Sequence, residues 1–226
     1  VIDRHLYSTI PSTDFRRKCW VDFSLDGMTK ADALAKLGDY SNYPDRVYKS
    51  GMEYSKYGLG GLSLKFRNAA GKADVKYDAW CVSVPLMRVE EMKLIEAEAA
   101  GMQDEARGKA LLEAFAKTRD PQYVYGKHTD AYYNASTSLF QNEVWWQRRV
   151  ELWGEGFATF DIKRLNKGII RSYAGTNHLE NARWNTKELP NWMVWAFVGT
   201  ESDNNGGMTR NPDPVQPAAD SDPYVF

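Results

Sequence analysis

Cysteine is nearly absent from this chain, with Cys19 and Cys81 alone among 226 residues. Two thiols are too few for a disulfide framework or a zinc site, and each sits beside an aromatic, as Cys19-Trp20 and Trp80-Cys81, which favours buried thiols over a single bridge. Histidine is almost as scarce. His5, His128 and His178 lie in loop-like segments without an i,i+4 partner, so each reads as an ordinary polar residue rather than a metal ligand. No G-x-S-x-G, H-E-x-x-H or glycine-rich strand-to-helix loop occurs, and Gly58-x-Gly60-Gly61 precedes a strand-like run, the wrong order for a dinucleotide site. No run approaches the ~20 apolar residues that span a bilayer. The opening VIDRHLYSTIPSTDFRR has no apolar h-region and says nothing direct about export. A formal net charge of −1 excludes a basic nucleic-acid binder.

Aromatic surface is what the chain has in quantity. With 43% hydrophobic residues it can build one large or two small globular domains, and its 8 Trp and 13 Tyr serve as core filling or as platforms for sugars and peptides. Carboxylates are plentiful too. Glu90, Glu91, Glu151 and Glu155 fall on helical segments beside basic neighbours, which suits structural ion pairs better than a raised-pKa catalytic acid. Asp203-Asn204-Asn205-Gly206 lacks the downstream bidentate Glu of a calcium loop and reads as a turn. No enzyme, cofactor or metal site is expected.

The most specific stretch runs from Trp145 to Arg164. Ser138 and Gln141 make an S-x-x-Q capping box for a helix over about 138–153, with Leu139, Phe140, Val144, Trp145, Val150 and Leu152 as its apolar side. Gly154-Glu155-Gly156 then releases the chain into a second helix over about 157–167, for which Gly168 is the expected C′ residue. Arg148, Arg149, Glu151, Glu155, Asp161, Lys163 and Arg164 lie inside the apolar pattern. They form either a buried network of Arg forks on carboxylates or a solvated face of i,i+4 pairs. Interleaving with Trp145, Trp146, Trp153 and Phe160 favours the network, and commits Trp146 and Phe160 to packing.

This run resembles the C-terminal signature of the SusD/RagB-like outer-membrane nutrient-binding lipoproteins of Bacteroidetes, E-R-R-x-E-L-x-F-E-G-x-R-x-x-D-L-x-R. Arg148, Arg149, Glu151, Leu152, Glu155, Gly156, Asp161, Ile162 and Arg164 fall on it in register. Three positions depart: Gln147 stands for Glu, Gly154 for an aromatic and Ala158 for Arg, which removes one charge pair of the family's network.

A second match lies upstream. Pro85 suits a first helical turn, and Leu86, Val89, Met92, Leu94, Ile95 and Ala99 mark an apolar side of a helix ended by Gly101. Another helix follows over about 104–118, with Ala106, Ala110, Leu111, Ala114 and Phe115 on one side and Asp120-Pro121 as its stop. The pair looks like one tetratricopeptide-type unit, which needs neighbours to cover its apolar face. Arg88 to Ala99 resembles the family's R-x-x-E-M-x-L-I-x-A-E-A helix. Asp14-x-Arg16 with Trp20, and Lys65-Phe66-Arg67, resemble elements preceding that core. Family members are longer and carry further helical repeats and a lipid-bearing cysteine upstream, so this chain is expected to be the C-terminal part of such a protein.

The resulting expectation is a mainly α, SusD-like fold with tetratricopeptide-type hairpins and long loop-rich insertions. Residues 1–84 form a loop-rich region with half-buried strands at Leu62–Phe66 and Trp80–Val84, residues 85–168 the helical core, and residues 169–226 a loop-rich C-terminal region ending in a surface strap. The resemblance implies cell-surface binding of an oligosaccharide, or a peptide, and its hand-over to a SusC-like TonB-dependent transporter, with membrane attachment only through a lipid outside these residues. A tetratricopeptide-type scaffold for a protein partner, without a small ligand, is the alternative. Ligand contacts are expected from loop aromatics among Asn, Asp, Ser and Gly: Tyr40, Tyr43, Tyr54 and Tyr57 early in the chain, and Trp184 and Trp192 late in it.

Overall fold

A computed structural model describes residues 1–55, 58–66, 85–213, 215, 217 and 222–226, without the side chains of 54 and 55. Among them the chain is mainly α: α1 (Arg4–Ser8), α2 (Lys30–Leu37), α3 (Pro44–Tyr48), α4 (Val89–Gln103), α5 (Glu105–Lys117), α6 (Leu139–Glu151), α7 (Ala158–Arg164) and α8 (Gly199–Asn204). Its only named ladder there pairs β1 (Ile169–Ile170) with β2 (Asn185–Thr186) in antiparallel register. Two compact units result, Val1–Ala97 with Ala110–Tyr123, and Glu98–Lys109 with Val124–Phe226.

The first unit holds more helix than its weak periodicity suggests, because elements of 5 to 8 residues are too short to show a period. Their signals are local: Thr29 Oγ1 accepts from the Asp32 N–H (3.2 Å), and Pro44 opens α3. Val21, Leu25, Ala33, Leu37, Leu59 and Leu64 form the core, with Tyr40, Val47, Tyr48 and Leu62 against it. The strand expected over Leu62–Phe66 reduces to a single antiparallel bridge, Ser63 to Trp20. At one end of that bridge the chain turns through Phe23–Leu25 while Leu59 and Gly60 donate to Asp26 Oδ1 (3.0 and 2.8 Å), and at the other it comes out of the tight turn Phe15–Cys19, so the pairing stops at both ends. Asp14 and Arg16 form a buried pair at 2.6 Å. The strand expected at 80–84, and Cys81, lie outside the described residues.

Helices α4 and α5 are separated by Asp104, whose carboxylate accepts from the Ala106 N–H (3.0 Å) and caps α5. Glu90, at the start of α4, accepts from Arg119, just past the end of α5 (3.2 Å), so the two run antiparallel. Gly101 does not end α4. It sits within the helix because the Phe140 ring lies against it, where an added Cβ would meet Phe140 Cε1 at 2.1 Å. Of the apolar side expected for this helix only Leu94 is buried, while Leu86, Val89, Met92, Ile95 and Ala99 are exposed; the face that packs inward carries Glu91, Leu94, Ala97 and Ala100.

In the second unit the capping box of α6 is complete, with the Gln141 N–H donating to Ser138 Oγ (3.1 Å) and the Ser138 N–H to Gln141 Oε1 (3.2 Å). Gly154 (φ 76°) and Gly156 (φ 90°) turn the chain into α7. Gly168 is not the C′ residue. That place belongs to Asn166 (φ 50°), whose N–H donates to the Lys163 carbonyl (3.2 Å) while Lys167 N–H reaches the Ile162 carbonyl (2.9 Å), a Schellman arrangement. Gly168 serves close approach instead, since a Cβ there would lie 2.3 Å from the Thr186 carbonyl oxygen. Tyr133, Trp145, Leu165, Ile170 and Tyr173 make the core. Tyr224 closes onto it through a parallel bridge to Tyr173, its N–H donating to the Ser172 carbonyl (2.8 Å).

Candidate functional site

Of the charges in the 145–164 run, Arg148, Glu151 and Asp161 are buried, Arg149 and Glu155 half-buried, and Lys163 and Arg164 exposed, so the network has a buried centre and an open edge. Arg148 Nε donates to Asp161 Oδ2 (2.8 Å), Arg164 Nε takes Asp161 Oδ1 (2.8 Å), and Arg164 continues as a fork onto Glu98, its Nη2 at 2.9 Å from Oε2. Arg149 spans Asp130 Oδ2 (3.4 Å) and lies over the Trp145 ring at 4.5 Å. The preceding loop is tied to the same helix. Glu143 Oε1 accepts from the Gly126 and His128 N–H groups (2.6 and 2.9 Å), and the His128 ring stacks on Trp146 at 3.5 Å. Trp146 is thus committed to packing, whereas Phe160 is 70% exposed, against expectation. Seven-residue α7 buries the face of Asp161, which leaves Phe160 on the other side. Gln147, where the family signature has Glu, is fully buried with neither amide atom hydrogen-bonded, and Ala158 is exposed.

Lys167 was not legible as part of this core. It is completely buried, its Nζ donating to Asn142 Oδ1 (2.6 Å) and lying 4.8 Å from the Trp145 ring centroid. Burial draws its pKa down to about 8; the Asp130 carboxylate opposes the fall and Arg149 adds to it.

The loop aromatics are placed differently. Trp184 and Trp192 come together edge to face, with centroids 5.8 Å apart and planes at 84°. Trp184 is buried, with the Arg171 guanidinium 4.6 Å over its ring, while Trp192 is half-buried. The backbone around them is fixed by two amides. Asn185 Oδ1 accepts from the Arg171 and Ser172 N–H groups (3.0 and 2.9 Å), and Asn191 Nδ2 donates to the Asp213 carbonyl (2.8 Å).

In the first unit Tyr40 packs half-buried against the core, and burial raises its hydroxyl pKa. Beside it Asp22 gathers the Tyr7 hydroxyl (2.7 Å), Arg17 Nη2 (3.2 Å) and the Ser24 N–H (2.9 Å). Burial alone would raise the Asp22 carboxyl, but those hydrogen bonds outweigh it and hold the group at about 2. Tyr43 is 37% exposed at the start of α3. The Tyr54 side chain and Tyr57 lie outside the described residues. One exposed ring escaped the sequence reading: Trp195, 86% exposed, three residues beyond Trp192.

A rigid helical hairpin with aromatic rings carried on amide-pinned loops is the build of a ligand-binding scaffold. The chain belongs to the SusD family, whose family model matches residues 5–213. Members of this family are nutrient-binding proteins of the cell surface rather than enzymes. No curated protein and no solved structure matches the chain. Among the described residues no helix is long and apolar enough to cross a membrane.

Proposed function

We propose that this chain binds an oligosaccharide at the outer face of the outer membrane and passes it to a SusC-like TonB-dependent transporter, with no reaction catalysed. The observation that supports this reading is the Trp184–Trp192 pair. Trp184 carries the Arg171 guanidinium over its face and meets Trp192 edge to face, and Trp192 stands half-buried. Such a ring meets the apolar face of a pyranose at little entropic cost, and neighbouring amides suit its hydroxyls. Tyr40 and Tyr43 offer rings of the same kind in the first unit, and Tyr54 and Tyr57 belong to the same candidate set. In this reading residues 85–168 are the scaffold, and the regions 1–84 and 169–226 present the ligand-facing loops.

Calorimetric titration of the chain with a panel of oligosaccharides and peptides tests the proposal, with product analysis of the same mixtures. Saturable binding of a glycan whose length is unchanged after incubation is the expected result. Retention of a polypeptide without any glycan binding would favour a protein-interaction scaffold, and shortened products would make the protein a glycan-degrading enzyme.

A further inference from the structure

Asn185 holds three stretches of chain with one amide. Its Oδ1 accepts from the Arg171 and Ser172 N–H groups (3.0 and 2.9 Å), and its Nδ2 donates to the Ser172 and Asp222 carbonyls (2.9 and 3.0 Å). The Ser172 carbonyl also takes the Tyr224 N–H (2.8 Å), so the segment Asp222–Phe226 lies as a parallel strap beside Ser172 and Tyr173. Pro223 biases Asp222 toward the extended backbone that such a strap needs. The strap is lightly held. Its Phe226 ring meets those of Tyr132, Tyr173 and Tyr224, with centroids 5.2, 5.2 and 5.0 Å away, yet stays 46% exposed, and Val225 is 87% exposed. A segment with so few buried contacts is among the first to open locally.

The same amide adjoins the tryptophan pair. The Arg171 N–H, held by Asn185, also donates to the Trp184 carbonyl (3.2 Å), the Arg171 guanidinium covers the Trp184 ring, and that ring meets Trp192 edge to face. We infer that Asn185 is a positioning residue that couples the strap to the tryptophan pair. With the strap docked, the Asp222 carbonyl fixes which way the amide faces, and the opposite side of the amide sets the Arg171 backbone and the cover over Trp184. With the strap released, the amide is free to turn and the Arg171 and Ser172 N–H groups lose a fixed partner. The effect on ligand rests on the oligosaccharide reading above, whereas the coupling of strap to tryptophans stands apart from it. Coupling is reciprocal: the factor by which a docked strap raises affinity is the factor by which bound ligand favours docking.

The test uses the full chain and two variants. Phe226→Ser weakens the strap and alters neither tryptophan, and Asn185→Asp keeps the acceptor side of the amide while removing both donors. In heteronuclear NMR spectra the indole N–H signals of Trp184 and Trp192 should move in both variants, and Phe226→Tyr should leave them in place. In calorimetric titration oligosaccharide affinity should fall about fivefold in both, with little change in Tm, and in the unaltered chain ligand should slow Tyr224 amide exchange by about the same factor. Indole signals unmoved by Phe226→Ser would overturn the inference. Sugar binding that neither variant weakens would overturn it too, and would leave the oligosaccharide reading standing. A chain that binds no sugar, but whose indole signals move in both variants, supports the coupling and removes the oligosaccharide reading instead.

Discussion

Arg148 Nε stands 2.8 Å from Asp161 Oδ2, and the two side chains keep only 7% and 4% of their surface in water. The bond joins α6 to α7 across the glycine turn, and the second oxygen of Asp161 is taken by Arg164. With both oxygens engaged, the carboxylate ties α6 to α7, and removing Arg148 leaves one oxygen of a buried carboxylate without its cation.

Arg148→Ala should therefore lower the unfolding free energy by about 3 kcal/mol in denaturant titration, the usual cost of breaking a buried pair from one side. Arg149→Ala should cost less, because its contact to Asp130 is longer at 3.4 Å and Asp130 keeps the Tyr132 hydroxyl at 2.7 Å. Unchanged stability in both variants would show the charges to be solvated rather than structural.

Lys167 makes stability depend on alkaline pH. Its folded pKa of about 8 lies below the ordinary 10.5, so the native state loses the proton first and the unfolded state holds more protons between those values. Stability should rise with pH across that window, by about 3 kcal/mol in total, as the cost of a buried charge is relieved. Below pH 8 the cost is fully present. Lys167→Met should flatten the profile between pH 8 and 9.5, a range chosen because Tyr7 and Tyr132, whose hydroxyls burial holds protonated, act in the opposite sense at higher pH. Parallel profiles for the two proteins would contradict the assignment.

Two glycines should respond to alanine for different reasons. Gly101→Ala presses a methyl into the Phe140 ring, and Gly168→Ala presses one into the Thr186 carbonyl oxygen. Each should destabilise by roughly 1–3 kcal/mol, the range for overpacking. Phe140→Leu should partly rescue Gly101→Ala, since a side chain can yield. No side-chain change opposite Gly168 should help, because its obstacle is backbone. A double-mutant cycle on 101 and 140 measures the difference.

Burial separates the two members of the tryptophan pair. Trp184→Ala should lower the unfolding free energy by ~3–5 kcal/mol, the cost of a deleted core indole, and reduce Tm accordingly. Trp192→Ala should leave Tm much closer to that of the unaltered chain and lower oligosaccharide affinity by about 1–2 kcal/mol, as loss of one stacking contact does. Equal losses of stability with no change in binding would make Trp192 core filling.

What could be read from residues alone was local or patterned. Ser138 and Gln141 announce the capping box because donor and acceptor lie three residues apart, and the register from Arg148 to Arg164 identified the family before any contact was known. Gly154 and Gly156 likewise announced their turn. Two glycines serve contact with distant groups instead of ending helices: Gly101 has the pattern of a stop and Gly168 that of a cap, but Phe140 and Thr186, the groups they accommodate, are 39 and 18 residues away and invisible to local rules. The α7 cap falls to Asn166, whose type enters the φ > 0 region less often than Gly does.

The fold class, the existence of α4 to α7 and the presence of a charge network were thus determined by the sequence, since helix periodicity, capping chemistry and a dense signature are properties of neighbouring residues. Tertiary structure alone decided which side chain each charge meets, which rings are spent on packing and which stand in water. Arg164 finds Glu98 from 66 residues away, Lys167 is buried against Asn142 from 25, and Phe160 is left outside while Trp146 is covered by His128. Burial is a property of what packs against a residue, and those partners are chosen by chain closure over distances that no local pattern encodes.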